Sequence, residues 1–115
     1  MVIGLMILLS RRALAHASPV SEQPGDGATV NSAPQSVVIR FDDRIEAMFA
    51  TLKVLDGSGD DVTSGKPVVG TDRHQLSVKL KPIAAGSYTV KWSVVAEDGH
   101  RTQGFYAFTV AAPKP

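Results

Sequence analysis

The 115-residue chain contains no cysteine. That absence excludes disulfides, thiolate zinc sites and cysteine nucleophiles, and it confines any metal site to nitrogen, oxygen and thioether donors. A charge excess is lacking too: twelve Lys and Arg stand against eleven Asp and Glu, for a formal net charge of +1. So even a balance leaves no electrostatic footprint for nucleic acid. No apolar run approaches the ~20 residues that cross a bilayer, and no amphipathic helical period or internal repeat is visible. With 43% hydrophobic and 20% charged residues, the composition is that of one globular domain with one core.

The longest apolar run, Met1 to Leu9, is followed by Arg11-Arg12 and then Ala13-Leu14-Ala15. A short apolar stretch before a small-x-small triplet is the pattern of a secretory signal, with cleavage expected between Ala15 and His16. Two features differ from the usual arrangement: no positive charge precedes the run, and Arg11-Arg12 lie after it. Removing residues 1–15 takes away those two arginines. The remaining ten Lys and Arg against eleven Asp and Glu give about −1. The domain expected after export covers residues 16–110, with a short tail at 111–115.

Within that domain the periodicity is two. Val37, Ile39 and Phe41 share one face of a strand, as do Leu76, Val78 and Leu80. The clearest pattern runs from Ser87 to Val95, where Tyr88, Val90, Trp92 and Val94 face one way and Thr89, Lys91 and Ser93 the other. A last strand is expected from Gly104 to Val110, with Tyr106, Phe108 and Val110 on one face. His16 to Ser21 reads as an extended edge segment, since Pro19 cannot donate to a central ladder. Thr51–Leu55 and Lys66–Val69 complete a set of about seven strands separated by Gly, Pro and Asp turns. Ile45 to Ala50 fits either a helical turn or an irregular crossing. The expectation is an all-β fold: a single antiparallel Greek-key β-sandwich, immunoglobulin-like in architecture but without the disulfide of antibody domains.

One polar interruption stands out, Glu97-Asp98-Gly99-His100-Arg101, between the two longest apolar strands. Asp98 and His100 are two apart, so in extended backbone they project to the same side, and Gly99 allows a close turn. A free N-terminal His16 would add two nitrogens, because its amine and near ring nitrogen close one small chelate ring. Three nitrogens and one carboxylate oxygen suit the tetragonal preference of copper(II), which also has the highest affinity of the divalent first-row ions. Nickel or zinc could use the same atoms less well. Taken alone, Asp98-Gly99-His100 is most often a turn followed by a surface histidine. The chain has only three histidines; the third, His74, lies in a polar stretch and reads as a solvated surface residue.

The sequence resembles the CopC-type periplasmic copper-binding proteins. Three segments carry the resemblance: His16-Ala-Ser-Pro-Val-Ser-Glu-Gln-Pro-Gly-Asp-Gly27, Val37-Val-Ile-Arg-Phe-Asp-Asp43, and Gly86 to His100 continuing through Gly104 to Val110. It implies a seven-stranded sandwich that holds one copper(II) ion through His16, by amine and imidazole, with Asp98 and His100. Asp43 matches the position of a further, weaker ligand in some members. The resemblance also implies a periplasmic carrier or sequestering protein, not an enzyme, with an inner-membrane copper transport protein as its partner. Members that also hold copper(I) have a methionine-rich stretch, whereas Met48 is the only methionine after residue 15. Copper(II) alone is therefore expected, with Met48 a packing residue.

Two other functions compete. A copper monooxygenase could use an N-terminal histidine with a second histidine, although an equatorial carboxylate would fill a position that oxygen activation needs. A metal-free sandwich would serve as an interaction module. Copper binding through two imidazoles (~6.5) and an amine (~7.7–8.0) should weaken as pH falls, because protons compete for the ligand nitrogens.

Overall fold

The computed structural model describes residues 16–114. The expected leader, its cleavage site and Pro115 lie outside them. Eight strands form: β1 (Pro19–Gln23), β2 (Thr29–Val30), β3 (Ser36–Phe41), β4 (Thr51–Leu55), β5 (Thr63–Val69), β6 (Gln75–Leu80), β7 (Gly86–Val95) and β8 (Arg101–Val110). They make two four-stranded sheets, ordered β1-β3-β6-β5 and β2-β8-β7-β4. The chain passes from one sheet to the other at every connection except those between β5 and β6 and between β7 and β8. Among the described residues no helix is long and apolar enough to cross a membrane.

The alternation read from the sequence sets the inner faces. Val37, Ile39, Phe41, Leu76 and Val78 from one sheet are buried against Leu52, Val54, Val90, Val94 and Phe108 from the other. Phe41 meets Trp92 edge-on with ring centres 5.3 Å apart, and Tyr88 stacks on Phe108 at 5.4 Å. Trp92 lies over Gly104 so closely that a Cβ there would come within 2.9 Å of its ring. Each fully buried aliphatic or Phe side chain contributes about 1.5–3 kcal/mol, against ~0–1 kcal/mol for an exposed ion pair. The interlocked apolar faces, not the surface charges, hold the sandwich together.

Three elements differ from expectation. β2 was not anticipated; two residues carry no period, and the strand exists because Thr29 and Val30 pair in parallel with Thr109 and Val110. It makes eight strands where about seven were expected. β1 starts at Pro19, later than the extended segment read from His16, and pairs only with β3, which suits an edge strand. β5 begins at Thr63, and its register slips between Ser64 and Val68 around Gly65 (φ +83°) and Pro67; these residues hide the alternation. The crossing after Ile45 is a single 3-10 turn, Ala47–Phe49, that buries none of its side chains. Met48 is consequently 84% exposed and does not pack, contrary to the sequence reading.

Candidate metal centre

The β7–β8 hairpin is paired without interruption from Gly86↔Val110 to Val95↔Arg101. At its tip the Ala96 amide donates to the His100 carbonyl at 2.9 Å, and the Gly99 amide donates back to the Ala96 carbonyl at 2.9 Å. Glu97, Asp98 and Gly99 thus form a three-residue loop with Gly99 in the left-handed region at φ +92°, the usual solution for a hairpin of this length. Asp98 and His100 are joined by this turn and not by extended backbone, which corrects the alternation argument. The Asp98 Oδ1 accepts the His100 amide at 3.0 Å, the local hydrogen bond that Asp favours in turns. Its Oδ2 lies 3.0 Å from His100 Nδ1. With Nδ1 donating to the carboxylate, Asp98 fixes the orientation of the His100 ring; an ion held by both groups would replace this hydrogen bond with a bond to each.

The Asp98 carboxyl is held below the usual carboxylate range, chiefly by the His100 amide. Partial desolvation opposes this, and the His100 ring and the charges of His100 and His16 reinforce it. An anionic oxygen therefore faces the two imidazoles.

His16 comes from the far end of the sequence. It is placed by Ala17, which is fully buried and whose carbonyl accepts the Thr102 hydroxyl at 2.7 Å. Ser18 is tied to the end of β3: its amide donates to Asp42 Oδ1 at 2.8 Å, and its carbonyl accepts the Asp42 amide at 2.9 Å. The His16 ring then sits with its centre 5.3 Å from that of His100, inclined by 54°. With metal–imidazole bonds of about 2.0 Å, two rings sharing one ion have centres about 4–6 Å apart, so this separation is compatible with a common ion. Sequence reasoning missed Ala17, Asp42 and Thr102. Their contacts span 24 and 85 residues and leave no local pattern.

The remaining candidates lie differently. The Asp43 Oδ1 accepts the Arg44 amide at 2.8 Å, a local turn bond one residue from the Asp42 anchor. His74 is half-buried, and its Nδ1 lies 3.0 Å from the Phe41 carbonyl; it is a structural histidine and not the solvated one expected. Among the described residues, no three His, Asp or Glu side chains are gathered into a ready-made metal cage, and the amine of a processed His16 would supply a donor outside that set. Arg73 braces the same rim, reaching Glu46 at 3.1 Å and Glu97 at 3.2 Å, and so commits the carboxylate next to Asp98.

A CopC domain model matches residues 19–111. The chain is 33% identical over 107 residues to the copper transport protein CutJ of Bacillus subtilis (strain 168), covering 91% of this chain but only 20% of that longer protein. Among solved structures, CopC from Methylosinus trichosporium OB3b superposes with a TM-score of 0.80 at 30% identity, over 87% of this chain and 98% of that one. PcoC, a methionine-rich copper resistance protein from Escherichia coli, gives 0.73 at 28% identity, over 84% and 99%. The sandwich, the match across nearly its whole length and these likenesses together establish that the chain belongs to the CopC family.

Proposed function

We propose that the chain is a copper-binding protein of copper homeostasis or resistance that, once cut before His16, takes up one copper(II) ion outside the cytoplasm. The ion is cargo, held and passed on without turnover. The His16 amine and imidazole, the His100 imidazole and the Asp98 carboxylate are its ligands, with Asp43 a weaker addition. The observation that carries this reading is the facing pair of imidazoles from opposite ends of the sequence, with Ala17 and Thr102 fixing one and the Asp98 carboxylate orienting the other. Family membership and the copper names of the relatives support it. A single exposed Met48 offers no cluster of soft donors, which favours copper(II) over copper(I).

The test compares two chains by calorimetric titration against a mild competing chelator, one beginning at His16 and one with a single alanine ahead of it. The first should retain one equivalent of copper(II). The second loses the amine ligand and should bind at least about 100-fold more weakly, equivalent to ~2.8 kcal/mol. Equal affinities would show that the N-terminal amine is not a ligand.

A further inference from the structure

The charge of this near-neutral chain is unevenly placed. The four strands of the β2-β8-β7-β4 sheet carry Lys53, Lys91 and Arg101 and no Asp or Glu. Lys53 and Lys91 are exposed and paired directly across β4 and β7, where like charges repel. Among the described residues neither forms an ion pair; Asp61, the carboxylate that feels Lys53, is already held by the amide and hydroxyl of Thr63. On the other side of Lys91 its β8 partner is Phe105, which is 76% exposed. These side chains line an open groove of about 750 Å³ on the outer face of the sheet.

The groove leads to the metal rim. Ser93 and Gln103 pair across its floor, and the Ser93 hydroxyl accepts a hydrogen bond from Arg101 at 2.7 Å, the residue after His100. Beside this end, Met48 and Phe49 are 84% and 50% exposed just before β4 begins. Among the described residues, three of the five exposed large apolar side chains thus flank one cationic face. Three cations are fewer than the about 4–8 clustered Lys and Arg that mark an anionic-membrane surface, and a groove fits a protruding chain better than a flat bilayer. An unpaired like-charge row beside an exposed aromatic is complementary to carboxylates with an apolar anchor.

We propose that this sheet face is where a copper-exchanging protein docks, through an acidic segment whose apolar side chain covers Phe105, with its end brought beside His100. The proposal rests on the copper reading above. It accords with the occurrence of a matching domain as 20% of a longer copper transport protein.

The probe is an acetylated decapeptide of eight glutamates around two central phenylalanines, titrated into 15N-labelled, copper-loaded mature chain at low salt. Its lysine counterpart is the control. Amide shifts should concentrate at Lys53, Lys91 and Phe105 and diminish with salt. Lys53→Glu with Lys91→Glu should weaken the peptide by at least about tenfold, and Phe105→Ser by about threefold. Both variants should retain wild-type copper affinity and melting temperature, since none of these residues touches the rim or the core. A wild-type chain that holds copper yet shows no such shifts, or shifts elsewhere, refutes docking alone; a chain that holds no copper refutes the function on which it rests. Concentration-dependent dimers abolished by Phe105→Ser would assign the face to a second copy. Binding to phosphatidylglycerol vesicles in place of the peptide would assign it to a membrane, and either result overturns the proposal.

Discussion

Two turns at the same rim are written alike. In Asp72-Arg73-His74 and Asp98-Gly99-His100 the Asp Oδ1 accepts the His amide at 3.0 Å, and the middle residue has positive φ, +64° at Arg73 and +92° at Gly99. In both, that amide is the main reason the carboxyl sits below its ordinary range. They part at what each ring meets. His74 Nδ1 faces the Phe41 carbonyl and the Asp72 Oδ2 pairs with Arg40 at 2.6 Å, so both side chains are committed to joining β3 and β6. The His100 Nδ1 turns to its own Asp98, and the ring faces His16. The local pattern builds the same turn twice; the partner across the rim decides whether the histidine is a fastener, as His74 is, or is turned toward a second imidazole, as the proposed ligand His100 is.

The largest expected effect tests that division directly. His100→Ala should lower copper(II) affinity by at least about 100-fold, ~2.8 kcal/mol, while His74→Ala should leave affinity unchanged and lose about 1 kcal/mol of folding stability with its hydrogen bond to Phe41. Competitive copper titration and urea unfolding of both variants would read the two outcomes. A copper defect in His74→Ala as large as that of His100→Ala would erase the distinction.

A smaller effect separates the two middle residues. Gly99→Ala should cost about 1–2 kcal/mol from backbone conformation alone, because a Cβ there meets no atom within 4 Å. Arg73→Gly relieves the same kind of strain but forfeits the contacts with Glu46 and Glu97, and the two changes should offset to within about 1 kcal/mol. Chemical denaturation would show the order reversed if the Arg73 ion pairs, and not backbone strain, dominate the rim.

The smallest effect concerns acid. The folded chain holds Asp72 below its ordinary value of 3.8, first through the His74 amide and then through Arg40. As pH falls the unfolded chain takes up this proton first, so the stability is full above the unfolded value and is lost as pH drops from about 3.8 through the lowered folded value. Asp72→Asn should be less stable than the parent at pH 6 and lose less on acidification. Parallel pH–stability curves for the two chains would contradict this.

Much of the sandwich was legible because burial on one face forces alternation: Val37, Ile39 and Phe41, then Leu76, Val78 and Leu80, and then Tyr88, Val90, Trp92 and Val94 all point inward as their spacing required. The long hairpin and its Asp98–His100 tip were legible for the same reason, since a polar break between two such strands has to be a turn. What was hidden depends on distant partners. Two residues of β2 take their identity from β8, and the half-burial of His74 follows from Phe41. The position of His16 follows from Asp42 and Thr102, and no window of neighbouring residues contains that information.

Buried Ala17 gives the protein a sense of length. Most folded domains tolerate a ragged beginning, because the first residues hang in solvent and one more or fewer alters nothing. Here the core grips the second residue of the proposed mature chain, and the loop carbonyl it presents is counted off against Thr102. An extra residue would carry the free amine one position away from His16, and a missing one would remove the imidazole and leave a charged amine at buried Ala17. Under the proposed processing the fold would act as a gauge on the cut, and a chain cut one residue early would keep its sandwich and lose the amine ligand.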